Sequence, residues 1–187
     1  MESSRYEALT VNIVKEYAWC PAHAWFSWNG PRPVLPGFSR VPRGNLDPLE
    51  AKLILERLGH RGHIIMEAVL EDEVLGVRGR VDYLAEPDNG PGAVLEYKFR
   101  GIWGDAEIVQ TALYTVMAEH RYKAAFKGYI VSVSGVRVIT EEEKREGVRL
   151  VYEARRAIEG PEPPEPGHDL ARCRACVYRR ICPWPGR

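Results

Sequence analysis

One cysteine near the start of the chain, Cys20, and three near its end, Cys173, Cys176 and Cys182, constrain the possible fold more than any other feature. The last three follow a C-x2-C-x5-C spacing, short enough for one irregular turn to aim several thiolates at a single ion or cluster. If Cys20 joins them, the fold must bring its two ends together across about 150 residues. That closure restricts the unfolded chain by several kcal/mol in a loop-entropy estimate. In a reducing compartment, four such cysteines point to metal or cluster ligands rather than two disulfides, with hyperthermophiles as the exception. The exception bears on this chain, because one glutamine, four asparagines and abundant Glu, Arg and Pro lean thermophilic. Four thiolates satisfy zinc and iron-sulfur alike, so spacing leaves both open.

With 187 residues, 45% of them hydrophobic and 28% charged, the chain suits one globular domain over 1–187 rather than a disordered or fibrous protein. No apolar run reaches the roughly 18 residues of a membrane span. Met1 to Thr10 lacks the basic-then-apolar pattern of a signal peptide, so a cytoplasmic protein without membrane contact is expected. The 26 basic and 26 acidic groups cancel, and net charge gives no argument for a nucleic-acid partner. Placement says more: Arg172, Arg174, Arg179, Arg180 and Arg187 collect beside the cysteines against Asp169 alone, either to meet phosphates or as a solvated basic surface.

Thr10 caps a predicted helix to about Phe26, with Cys20 in or just after it. Gly30 to Pro48, with five prolines, reads as an exposed loop or flap. Asp47 and Pro48 open a second predicted helix, carried to about Leu70 by Leu49, Leu53, Leu55, Leu58 and Ile65, with Gly59 and Gly62 as bends. Val74–Ala85 and Ala93–Phe99 are predicted strands joined by a turn-rich segment, an antiparallel pair. A helix over Ala106–His120, strands at Phe126–Val133 and Val136–Ile139, and a helix opened by the Thr140/Glu143 capping box and running to about Ile158 follow. Pro161 to Pro166 links to the cysteine tail. The expected fold is α/β: a central mixed sheet flanked by helices, with residues 74–133 as the catalytic core and the terminal segments 1–30 and 167–187 joined by the cysteines.

The chemistry sits in the predicted hairpin. Asp82 follows Gly79-Arg-Val81, and Glu96-Tyr97-Lys98 lies on the second strand. Alternation along a strand sends Glu96 and Lys98 to one face, and hairpin pairing places Asp82 beside them. Two carboxylates suit Mg2+ or Mn2+, and Lys98 can orient water or stabilise developing charge, which is equipment for phosphodiester hydrolysis. Glu-x-Lys is also a common surface salt bridge; the apolar run Ala93-Val-Leu95 before Glu96 argues for burial instead. On the next helix, Gln110 and Tyr114 share a face at i, i+4. Tyr83, Tyr97, Phe99 and Trp103 can stack bases or pack, and Trp19, Trp25 and Trp28 can shield the cysteines.

Gly79-Arg-Val-Asp82, Glu96-Tyr-Lys98 and Gln110-x3-Tyr114, bracketed by one early and three late cysteines, resemble the RecB-like branch of the PD-(D/E)xK nucleases, and within it the CRISPR-associated exonucleases that carry an iron-sulfur cluster. The resemblance spans Cys20 to Cys182 and rests on the order of the motifs. It implies a RecB-like fold and a Mg2+- or Mn2+-dependent DNA exonuclease. It further implies action on single-stranded ends, 5′ to 3′, alongside CRISPR integrase proteins. It makes Asp82 and Glu96 metal ligands, Lys98 the catalytic lysine, Gln110 and Tyr114 the helix motif bordering the site, and the Tyr97 carbonyl a further ligand. It favours an iron-sulfur cluster, 4Fe-4S or 2Fe-2S, on Cys20, Cys173, Cys176 and Cys182. The family places a metal-binding histidine in a Gly-x3-His-Glu context, where this chain has Gly62 followed by His63-Ile-Ile-Met66-Glu67. A thioether is a poor ligand for either cation, so His63 is the substitute, with His60 and Glu67 behind it. The departure at Met66 leaves a second expectation, a cluster-bearing DNA-binding or assembly subunit with a weak or vestigial nuclease site.

Overall fold

The computed structural model describes residues 8–31, 46–99, 103–166 and 170–184. Its elements run β1 (Leu9–Thr10), α1 (Val11–Trp19), α2 (Pro21–Asn29), α3 (Pro48–Arg57), β2 (Ile64–Asp72), β3 (Val77–Ala85), β4 (Gly92–Lys98), α4 (Asp105–Tyr122), β5 (Phe126–Ser132), β6 (Gly135–Val138), α5 (Glu141–Glu159) and α6 (Leu170–Ala175). The sheet runs β1-β3-β4-β5-β6, with β2 antiparallel on the other edge of β3. β4 and β5 are parallel, joined through α4, while the β3–β4 and β5–β6 pairs are antiparallel, so the sheet is mixed as expected.

Two layers cover it. Leu84 and Val94 of the sheet pack with Val14 of α1, Leu113 and Met117 of α4, and Leu150 and Val151 of α5. On the opposite face Tyr83, Ala85, Ala93, Leu95 and Tyr129 pack with Ala51 and Leu55 of α3. Alternation along β4 therefore points Glu96 and Lys98 at the α4 layer.

Several boundaries differ from expectation for local reasons. The first helix is two, because Cys20 adopts an extended conformation (φ −164°) between them and Pro21 opens α2. The helix expected to reach Leu70 ends at Arg57: Gly59 takes a left-handed φ of +91°, and Ile64–Asp72 is a strand. Gly62 is required there, since a Cβ would lie 1.8 Å from the Glu86 carbonyl oxygen. Leu49 and Leu53, expected as apolar contacts, are exposed. The strand expected from Val74 starts at Val77, after a turn in which the Asp72 carboxylate accepts the Val74 and Leu75 N–H groups. Residues 32–45 of the expected loop, and Gly167 to Asp169 with Arg187 of the basic tail, lie outside the described residues.

Candidate active site

The β3–β4 ladder stops at Tyr83↔Leu95. Its register, carried one step further, sets Asp82 opposite Glu96, but there side chains replace the backbone ladder. Asp82 N–H donates to Glu96 Oε1 at 3.2 Å, and Tyr97 N–H donates to Asp82 Oδ2 at 2.9 Å. Arg80 N–H donates to Tyr114 Oη at 3.3 Å. Since β2 fills the other edge of β3 and β1 reaches only Val77 and Arg78, the donors between are satisfied by the site's own side chains.

A fault in the pleat lies at the same level. Val81 and Leu84 both face the α4 layer, as do Ile65 and Ala68 across the ladder, although residues three apart on a regular strand face opposite sides. Between these pairs Glu67, opposite Asp82 in register, drops out of the ladder with a left-handed φ of +48°. The result is a cavity of about 30 Å³ lined by Leu46, Met66, Glu67, Asp82, Tyr83 and Tyr97. It has room for an ion or a water. Glu67 itself pairs with Arg80 at 2.8 Å.

Glu96 is 1% exposed. Burial, together with the neighbouring Asp82 charge, pushes its carboxyl up to about 7, against the attraction of Lys98 and the Asp82 N–H. Lys98 Nζ lies 2.8 Å from Glu96 Oε2 and 3.0 Å from Gln110 Oε1. Tyr114, one turn beyond Gln110 on α4, holds the Arg80 N–H with a hydroxyl pushed up to about 12 by burial and by the Glu96 charge. Gly79 makes room for this contact: a Cβ there would stand 2.6 Å from the Tyr114 ring.

The donor set fits a hard divalent cation: carboxylates from Asp82, Glu96 and Glu67, the Tyr97 carbonyl, and a buried acid whose ionised form needs a positive neighbour. Among the described residues, no three His, Cys, Asp or Glu side chains close on one point as they stand. At the chain ends, Cys20, Cys173, Cys176 and Cys182 line one small pocket with His23, whose Nδ1 is 3.5 Å from Cys176 Sγ. None forms a disulfide. Burial raises the thiols of Cys20 and Cys176, and their neighbouring cysteines add to it, the interaction a bound metal would reverse. The tail is docked by Tyr178, stacked on Phe26, and by Arg172, which donates to the Trp19 carbonyl.

Asp82, Glu96, Lys98, Gln110 and Tyr114 thus meet at one place. The histidines do not join them. His63 has its Nδ1 3.3 Å from Glu86 and a side chain 75% exposed, and it stands four residues before Glu67, about 13 Å along the strand. His60 is buried and committed, its Nδ1 to the Pro91 carbonyl and its Nε2 to Tyr129 Oη, near the other end of β4. Of the aromatics offered for stacking, Tyr83 is core and bonds the Leu46 carbonyl, whereas Phe99 is exposed. Trp25 donates to the Gly160 carbonyl instead of facing the cysteine pocket. Sequence reasoning missed Lys15 of α1, whose Nζ is 3.1 Å from Gln110 Oε1. No local pattern marks it, because only tertiary packing brings α1 onto α4.

Residues 31–183 match the family model described as the PD-(D/E)XK nuclease superfamily. Among solved structures, SSO0001 superposes with a TM-score of 0.53 at 15% identity, over 97% of this chain and 88% of that one. A protein of Eubacterium rectale described as a "putative exonuclease" does so with a TM-score of 0.53 at 13% identity, over 100% and 96%. At such identities these likenesses show the fold. No curated protein matches the sequence. No helix among the described residues is long and apolar enough to cross a membrane.

Proposed function

The chain belongs to the PD-(D/E)XK nuclease superfamily, and from that premise we propose that it is a metal-dependent deoxyribonuclease that hydrolyses phosphodiester bonds from DNA ends. The observation that carries the reading is the meeting of Asp82, Glu96 and Lys98 where β3 and β4 part. Asp82, Glu96 and the Tyr97 carbonyl would hold Mg2+ or Mn2+, with Glu67 rather than His63 as the further ligand. The cation would supply Lewis acidity for the phosphoryl oxygen and lower the pKa of water. Two of the three Lys98 N–H groups go to Glu96 and Gln110, leaving one for the attacking water or the departing oxygen. Ionised Glu96 is the form that binds the cation, so the proton it holds below about pH 7 must leave first.

The finer assignment rests on the resemblance: single-stranded ends, 5′ to 3′ polarity, a place beside CRISPR integrase proteins, and an iron-sulfur cluster on the four cysteines. Support for the last is the convergence of all four thiols on one pocket. A DNA-binding or assembly subunit with a vestigial site is the second reading. It is favoured by Met66, which lines the Asp82 cavity where the family places a histidine. Protein purified without oxygen, analysed for iron, sulfide and zinc and then given 5′- or 3′-labelled single- and double-stranded DNA with and without Mn2+, separates these readings. Mn2+-dependent release of 5′ label as short products supports the exonuclease. Salt-sensitive binding without degradation supports the second reading. Zinc without iron or sulfide overturns the cluster.

A further inference from the structure

Lys15 reaches the site from outside the motifs that compose it. It sits in the middle of α1, and its ammonium lies 3.1 Å from Gln110 Oε1 and 3.3 Å from Glu107 Oε1. Lys98 donates to the same Gln110 oxygen at 3.0 Å. One amide carbonyl therefore accepts from two ammonium groups, which commits both of its lone pairs. The amide nitrogen of Gln110 is left for the other side, where Tyr114 stands one helical turn along α4. Glu107 is fixed in turn, its Oε2 accepting the Gly104 N–H at 3.0 Å. Each acceptor around Lys15 thus has one other donor, Lys98 for Gln110 and the Gly104 N–H for Glu107.

We propose that Lys15 is a positioning residue for Lys98, acting through Gln110, in the nuclease reaction proposed above and resting on that reading. A primary amide can exchange its oxygen and nitrogen by turning about its last torsion, and a turned Gln110 would present a donor to the Lys98 ammonium. Two ammonium groups on the carbonyl oxygen make the unturned orientation the satisfied one. Without Lys15, a single cation holds the carbonyl, and Lys98 shares that looseness. The Glu107 carboxylate offsets the Lys15 charge locally, which suits a residue that orients a neighbour better than one that grips the phosphates of DNA.

Steady-state cleavage of end-labelled DNA by wild type, Lys15→Met, Lys15→Arg, Gln110→Leu and the double variant Lys15→Met/Gln110→Leu tests this, together with the reactivity of the Lys98 amine toward limiting acylating reagent, read by peptide mass spectrometry. Lys15→Met lowers kcat by about tenfold to a hundredfold. It leaves KM for DNA and the Mn2+ requirement within about threefold. Lys15→Arg restores most of the rate. The double variant is no slower than Gln110→Leu alone, because both act on one unit. Lys98 acylates several-fold faster in Lys15→Met at unchanged Tm. A rise in KM alone would instead make Lys15 a DNA contact and overturn the inference, as would multiplicative losses in the double variant or unchanged Lys98 reactivity. Wild-type protein that degrades no DNA defeats the nuclease reading, and the acylation comparison then still decides whether Lys15 holds Lys98.

Discussion

Glu96 concentrates the tension of the site, an ionisable group 1% exposed and shared between Lys98 and the Asp82 backbone. Its folded pKa is raised from the ordinary 4.5 to about 7. Over that interval the folded metal-free protein holds a proton that the unfolded chain has released. The contribution of Glu96 is therefore most favourable below the lower value and is lost as pH rises through the upper one. The loss is on the order of 3 kcal/mol. Glu96→Gln, measured by urea unfolding without metal, should lose less stability than wild type between about pH 5 and about pH 8. Parallel pH profiles would contradict the shift. Glu96 and Lys98 could be paired from the sequence because alternation on a strand depends only on spacing. Glu67 could not be ranked above His63, since its place beside Asp82 depends on a left-handed backbone that no local signal announces. Lys15 is legible only once α1 packs on α4.

At the scale of elements, β4, β5, β6, α4 and α5 lie close to where alternation or a capping residue puts them, and β3 differs only in its later start. The Thr140/Glu143 box opens α5 as expected, Thr140 Oγ1 accepting the Glu143 N–H at 3.2 Å. β2 stands where a helix is expected because its apolar residues also fit a helical period, and what decides the matter is tertiary: Gly62 packed on the Glu86 carbonyl and a long pairing with β3. Gly79 has a similar standing. It belongs to the motif around Asp82, yet its function is space, since an added Cβ would lie 2.6 Å from the Tyr114 ring and 3.1 Å from Val11. Gly79→Ala should destabilise the protein by about 1–3 kcal/mol in thermal or denaturant unfolding. It should also lower cleavage more than that loss of stability explains, by displacing Tyr114 and with it Gln110. Full stability and full rate would show that the ring has slack.

Across the whole molecule, α1 and its continuation carry one residue to each centre: Lys15 to the carboxylate site and Cys20 to the pocket of the three late cysteines. The spacing of the cysteines was readable because metal ligands must cluster, but neither the ligand geometry nor the metal follows from it. If a metal or cluster joins them, removing it by chelation, or replacing Cys176 with Ser, should lower Tm by roughly 10 °C, as loss of a long closed loop implies. An unchanged Tm would leave the docking of Tyr178 and Arg172 as what holds the tail. In the proposed function, the carboxylates and lysine at the β3–β4 parting perform the hydrolysis. Mn2+-dependent degradation of end-labelled DNA, compared among wild type, Glu96→Ala and Lys98→Ala at matched metal content of the cysteine pocket, tests it most directly. Wild type should cut, and both variants should be slower by about a thousandfold or more while still folded; wild-type rates in both variants would contradict the assignment.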